Sequence, residues 1–318
     1  METRILGKSD LKVSTICFGA WPIGGGMGRV DPQEAVKTIH AAINAGIAFI
    51  DTAEGYQTSE SVLGQALKSR RDSVILATKL SGPDHSESHI RNALENSLSA
   101  LNTEYIDLYQ LHTPQPKWPI ENTMEILNDL KEEGKIRHIG LSNFTSEQTD
   151  EAMGYGPIVS SQPRYNLLFR QEDPTLAFCE KNEIGVIPHS VLAKGLLGGS
   201  YKPGHIFATD DERRLFNFFQ GDLFETIYKV TQNLEKWSRN NGRDLIQLAI
   251  AWTLANSAIT SAIVGMKSVA QVENAAKAAT WKLTSTDLSE IESIIGNLRP
   301  AWIKAQTPED TPYKYGSY

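Results

Sequence analysis

The chain has 318 residues, of which 40% are hydrophobic and 22% charged, an ordinary balance for a globular protein and a length that α/β barrels reach undivided. A net charge of −7 argues against nucleic acid or an anionic membrane surface as a partner, and no apolar stretch approaches the ~20 residues of a membrane span. METRILGKSDLKVS lacks the apolar run of a signal peptide, and Cys17 and Cys179 read as small buried hydrophobes rather than a disulfide, so a reducing, cytoplasmic setting is expected.

RILGKSDLKVS reads as a hairpin turning through Gly7-Lys8 that closes the bottom of the fold. From there, apolar β-type runs end near Gly19, Asp51, Lys79, His112, Ser142, Gln162, Ser190 and Gly265. The intervals are 32, 28, 33, 30, 20, 28 and 75 residues, and all but the last suit the ~30 residues of a strand–helix–strand unit. KVSTICFG, VILATK and IGVIPHS are apolar or small at nearly every position, as in strands buried on both faces. Between them lie the amphipathic stretches PQEAVKTIHAAINAG, SESVLGQALKSR, SESHIRNALENSLSALN, PIENTMEILNDLKEEGK and PTLAFCEKN. Asp31 caps the first of these with Pro32 behind it, and Gly46 and Gly134 stand where a helix needs a left-handed stop.

The long final interval holds one insertion, YKPGHIFATDDERRLFNFFQGDLF, expected as a loop over the mouth, then two helices (FETIYKVTQNLEKWSRN and DLIQLAIAWTLANS) and the last strand. A helix from Asp287 to Asn297 and a polar tail, TPYKYGSY, finish the chain. No internal repeat or linker interrupts it. The expected fold is α/β: a (β/α)8 TIM barrel over residues 1–318 as one domain, with an N-terminal β-hairpin and an extended loop plus extra helices on the C-terminal side.

FIDTAEGY, VILATK and LYQLH each bring an ionisable group to a strand end: Asp51 with Tyr56 five residues on, Lys79, and His112. Strand C-termini of such a barrel share one mouth, where barrels place their chemistry. An ammonium beside a phenol favours the phenolate and pulls a tyrosine down from ~10, at ~1.4 kcal/mol per unit. Asp51 keeps Lys79 charged, and His112 holds a carbonyl oxygen or shares the proton, so Tyr56 becomes a general acid. Each residue alone could be structural: a wall tyrosine, an ion pair, a loop anchor. All four at one barrel face point to chemistry. The seven histidines are dispersed, without HExxH or paired-cysteine spacing, so no metal site is expected.

The strings FIDTAEGYQTSESVLGQALK, ILATK, IDLYQLHTP, EGKIRHIGLSNF, LAKGLLGG and GMKSVAQVEN closely resemble the aldo-keto reductase superfamily, over residues 3 to 295. That resemblance implies a barrel with a nicotinamide cofactor, usually NADPH, laid across the mouth, with Tyr56 as general acid, Lys79 and Asp51 tuning it and His112 orienting a small-molecule carbonyl. The segment FATDDERRLFNFFQGDLF looks like the branch that includes bacterial polyol and general stress reductases. Some relatives are regulatory subunits that bind NADPH and sense redox state on a channel. A further alternative is a Schiff-base lyase with Lys79 as nucleophile, disfavoured by the carboxylate beside it.

For the cofactor, no Rossmann fingerprint is present: Arg29 stands where Gly24-Gly25-Gly26-Met27-Gly28 would need a third spaced glycine, so this run is expected as a flexible loop rim. Gly265-Met266-Lys267-Ser268, directly after the last strand and before the helix VAQVENAAKAA, offers unpaired N–H groups, a lysine and a hydroxyl to a phosphate, and Lys267 favours NADP. Ser142 and Asn143, with Gln162, are expected to hold the nicotinamide carboxamide; Ser190, Leu192 and Lys194 the pyrophosphate; and Gln271 with Asn274 or Glu273 the adenine end. His189 replaces the aromatic residue that usually stacks on the nicotinamide, and an imidazole there could titrate. Trp21 is placed at the mouth among the cofactor contacts and, with Trp118 and the Phe207–Phe224 segment, in an aromatic pocket suited to aldehydes and ketones, sugars and polyols included. Arg213-Arg214 and Asp210-Asp211 are expected as a solvated face. Oligomeric state is left open.

Overall fold

A computed structural model describes residues 1–209 and 211–296. Asp210, Asn297 and the TPYKYGSY tail lie outside the described residues.

Among the described residues ten strands form two sheets. β1 (Thr3–Ile5) and β2 (Lys12–Ser14) pair antiparallel as the expected hairpin. The other eight are all parallel: β3 (Ile16–Gly19), β4 (Phe49–Asp51), β5 (Ile75–Leu80), β6 (Ile106–Leu111), β7 (Ile136–Ser142), β8 (Ile158–Gln162), β9 (Gly185–Val186) and β10 (Ala262–Gly265). Their spatial order is β10-β3-β4-β5-β6-β7-β8-β9. The remaining seam is joined by a parallel bridge between Val186 and Ile259 and by the Ile263 N–H donating to the Pro188 carbonyl at 3.0 Å. Helices between successive strands complete a (β/α)8 barrel.

The run read as one strand, KVSTICFG, is in fact two. Lys12–Ser14 belongs to the hairpin, and Thr15 hands the chain to the barrel, where Ile16–Gly19 is buried. Ser190 likewise lies beyond its strand: β9 stops at Val186, although the backbone goes on to pair His189 with Arg164.

Side chains alternate along each strand, so residues two apart face the same way. The outward set packs on the helices, with α1 (Pro32–Asn44) to α4 (Ile120–Glu132) in one large apolar cluster and the Val186 side of the barrel in a second. The inward set forms a separate cluster: Cys17, Phe49, Ala77, Leu108, Val159, Ile187 and Ile263, with Leu6, Leu11 and Val13 of the hairpin region beneath as a plug. The hairpin closes the barrel floor because those three apolar residues complete a layer that the strands alone leave open to water. A bulge in β8 opposite Ile139 and Gly140 turns Ser160 toward the interior, where a side chain on Gly140 would meet its Oγ at 2.3 Å.

Candidate active site

Two residues above that apolar layer the same strands carry polar groups. Phe49 is followed by Asp51, Ala77 by Lys79, Leu108 by Gln110 and Ile187 by His189, and in β8 the bulge sets Gln162 at the same level, two residues past the inward Ser160. Lys79 is fully buried and Asp51 is 2% exposed, so both charges have lost their water and depend on their partners. Lys79 Nζ donates to Asp51 Oδ1 at 2.5 Å, to the Thr52 carbonyl at 2.8 Å and to Tyr56 Oη at 3.3 Å. Asp51 Oδ2 accepts from Gln110 Nε2 at 3.0 Å and Gln162 Nε2 at 2.9 Å, and Gln162 also donates to Gln110 Oε1 at 3.0 Å. Both carboxylate oxygens thus accept hydrogen bonds, three in all, which is what makes burial of the pair tolerable.

The phenol of Tyr56 sits at the base of a cavity of about 340 Å³. The Trp21 ring meets it edge-on at 4.7 Å between centroids, and His112 does so from the other side at 5.6 Å. The glycine run near Trp21 serves this packing: a Cβ on Gly24 would lie 2.1 Å from the Tyr56 carbonyl, and one on Gly26 would lie 2.2 Å from the Trp21 ring. The run is a fitted wall, with Met27 lining the cavity, rather than a phosphate cradle.

Burial pushes the Tyr56 phenol above its ordinary value, and this outweighs the opposing pull of the Lys79 ammonium. The expectation of a phenol drawn down toward neutrality is therefore corrected: full desolvation of the phenolate costs more than one shared ammonium returns. Lys79 itself is held above the usual lysine value. Burial works against its charge, but Asp51 and then Tyr56 more than compensate. His112 is pushed down to about 3 by burial and by Lys79, and is neutral at physiological pH. Its Nδ1 lies 2.7 Å from Ser81 Oγ.

Of the twelve residues expected to contact cofactor, ten line this cavity: Trp21, Asn143, Gln162, His189, Ser190, Leu192, Lys194, Gly265, Lys267 and Gln271. Ser142 sits behind it, its hydroxyl donating to the Gln162 carbonyl at 3.1 Å and accepting from Asn143 Nδ2 at 3.0 Å. Asn274 does not line the cavity. Its Oδ1 accepts from Gln247 and its Nδ2 donates to Asp244, so it ties α9 (Val269–Ala278) to the start of α8 (Leu245–Ala255) rather than facing the cavity. Glu273 is exposed on the same helix, which leaves Gln271 at the cavity edge.

His189 bonds Ser190 Oγ through Nδ1 at 2.9 Å and Asn143 Oδ1 through Nε2 at 3.0 Å. Burial, then Arg164 and Lys194, drive it well below the ordinary histidine value, so it stays neutral and the expected titration is corrected. Lys267 Nζ donates to the Met27 carbonyl at 2.9 Å, and its amide N–H to Gln271 Oε1 at 2.7 Å, just ahead of α9. Lys194 pairs with Glu212 at 2.6 Å.

Two further expectations fail. Trp118 donates to the Pro83 carbonyl and does not line the cavity. Arg213 and Asp211 are buried, 8% and 6% exposed, where a solvated face was expected. Arg213 lies over the Tyr201 and Phe207 rings, bonds Asp211 at 2.8 Å through Nε, and borders the cavity with Phe216 and Phe218, whereas Arg214 is exposed. Charged residues inside an aromatic loop read as surface until the rings are seen to cover them.

Sequence reasoning missed Gln110, Ser81 and Arg213. Gln110 had a signal, an amide interrupting an apolar strand two residues before His112; Ser81 lies past the end of β5 and had none. Backbone strain marks the same face. Among the described residues seven non-glycines have positive φ; Asn102 and Glu183 end helices, whereas Gln57, Asn143, Ser190, Ala193 and Lys194 all lie in loops at the mouth.

Comparison with known proteins then decides the family: a model described as the aldo/keto reductase family matches residues 15–296. The chain belongs to that family. It is similar to the aldo-keto reductase YhdN of Bacillus subtilis (strain 168), 36% identical over 312 residues, covering 93% of this chain and 94% of the relative. It is 32% identical to a probable voltage-gated potassium channel subunit beta of Arabidopsis thaliana, covering 93% and 97%. The glycerol dehydrogenase AKR11B4 of Gluconobacter oxydans superposes with a TM-score of 0.85 at 31% identity, over 93% of this chain and 95% of that one. This is an oxidoreductase family whose members bind nicotinamide cofactors and act on small-molecule carbonyls. Among the described residues no helix is long and apolar enough to cross a membrane.

Proposed function

We propose that the protein is an NADPH-dependent carbonyl reductase in which Tyr56 is the general acid. The observation that carries this is the buried chain Asp51–Lys79–Tyr56, 2.5 Å and 3.3 Å long in its two links, ending at a cavity faced by a neutral His112. A phenol with a raised pKa keeps its proton at neutral pH. It can release that proton only to a strong base, which is what a carbonyl oxygen becomes as it is reduced. Lys79 stabilises the phenolate left behind, and Asp51 keeps Lys79 charged through the transfer. His112 donates a hydrogen bond to the same oxygen.

The donor set fits a nicotinamide dinucleotide. Asn143 and Gln162 present amides at the inner end; Ser190, Leu192 and Lys194 follow; Gly265, Lys267 and Gln271 stand at the outer end beside the start of α9. When bound, the cofactor supplies the hydride. Lys267, next to a helix N-terminus, supports NADP over NAD. Trp21, Phe169, Phe216 and Phe218 give the remaining wall an aromatic character suited to aldehydes and ketones, including sugar or polyol carbonyls. We place this activity in one domain spanning residues 1–318, in the cytoplasm.

NADPH consumption with a panel of aldehydes, ketones and sugars tests the reading, with Lys267→Met measured beside it. Turnover is expected, and the variant should lose about tenfold in NADPH affinity while NADH binding is unchanged. Tight NADPH binding without turnover on any carbonyl would instead favour a cofactor-sensing subunit, as the channel-subunit relative allows.

A further inference from the structure

Ser81 stands outside the chain of groups just described, yet it touches one of them. It lies one residue past β5 and two beyond Lys79, with its side chain at the cavity wall. Its backbone N–H donates to Glu54 Oε1 at 2.5 Å, which ties this stretch to the loop after β4. Its hydroxyl lies 2.7 Å from His112 Nδ1. The His112 carbonyl is held in turn by Asn143 Nδ2 at 2.9 Å, so both the ring and the backbone of His112 are fixed.

A neutral imidazole carries one hydrogen, and the bond made by one ring nitrogen decides what the other can do. A serine hydroxyl can donate to Nδ1 or accept from it. The two arrangements are unequal here. Among the described residues the bond to His112 Nδ1 is the one hydrogen bond that Ser81 Oγ makes. If Nδ1 held the hydrogen, the serine would accept and its own O–H would have no protein acceptor. If the serine donates, its hydrogen and the Nδ1 lone pair are both used, and the ring hydrogen falls on Nε2.

We infer that Ser81 is a positioning residue that holds His112 as its Nε2–H tautomer, making the imidazole a hydrogen-bond donor to the carbonyl oxygen beside Tyr56. The inference rests on the carbonyl-reductase reading of the site. Two donors then converge on one oxygen as negative charge develops there, and both are set before substrate arrives. The opposite tautomer would present a lone pair to that oxygen and repel it.

The test is nitrogen NMR of the full chain labelled with 15N-histidine, in wild type, Ser81→Ala and Ser81→Thr, with His112→Asn used only to assign the signal. Wild type and Ser81→Thr should show His112 protonated at Nε2; Ser81→Ala should show a mixture of tautomers. In parallel, Ser81→Ala should lower kcat about tenfold with KM and NADPH affinity nearly unchanged, and Ser81→Thr should restore it. A wild-type His112 protonated at Nδ1, or an unaltered tautomer in Ser81→Ala, overturns the assignment. The wild-type spectrum decides alone if the alanine variant does not fold. Absence of turnover in wild type counts against the reductase reading and leaves the tautomer result standing.

Discussion

The lower and upper halves of the barrel interior use the same strands, two residues apart, for opposite purposes. Below, Phe49, Ala77, Leu108 and Ile187 meet the hairpin plug of Leu6, Leu11 and Val13 in a dry apolar layer. Above, Asp51, Lys79, Gln110 and Gln162 form a connected polar layer buried as deeply, with Lys79 and Gln110 both fully covered. The lower layer is held by area removed from water and tolerates approximate fits. The upper layer is held by complete pairing, so that loss of one member exposes the desolvation of the rest.

That contrast can be broken most severely at Lys79. Lys79→Met should leave Asp51 charged and short of its main partner, costing about 3–5 kcal/mol in urea unfolding and abolishing turnover. Adding Asp51→Asn should recover part of the stability and none of the activity. In the lower layer, Leu108→Ala should cost about 2–5 kcal/mol, yet the folded protein should keep a wild-type kcat, since only a cavity is made. An equal loss of kcat in both variants would erase the distinction.

A smaller effect sharpens it by pH. His85, buried between α3 (Glu87–Leu101) and α4 near Thr123, is pushed down to about 4 by burial, and His112 to about 3. Both bind a proton more readily unfolded, near 6.5, than folded. Their contribution to stability is therefore full above that value and falls as pH drops toward the folded pKa, by ~1.4 kcal/mol per pH unit for each group. Urea unfolding between pH 7 and pH 4 should show this slope, and His85→Asn should flatten it by one proton.

Much of this was legible in the chain. Asp51, Lys79 and His112 each closed an apolar run, with Tyr56 in the loop five residues past the first, and the ~30-residue spacing required their strands to be neighbours. Ten of the positions expected to contact cofactor line the cavity, because strand ends and the loops that follow them share a mouth. What the sequence concealed was tertiary. Asn274 stands in a loop-facing motif but is captured by Asp244 and Gln247 from the preceding helix. Arg213 reads as solvated until Tyr201 and Phe207 close over it. The raised Tyr56 depends on how far the phenol is buried, a quantity no spacing reveals. KVSTICFG carried no mark of the break at Thr15, since both halves are strands and only their partners differ.

The most direct test of the central claim is Tyr56→Phe, with NADPH affinity and carbonyl turnover measured on one preparation. The phenyl ring keeps the packing against Trp21 and His112 and removes only the hydroxyl that meets Lys79. Turnover should fall by about 10²–10⁴-fold with cofactor affinity unchanged. A variant that reduces carbonyls at the wild-type rate would contradict the assignment of the proton to this phenol.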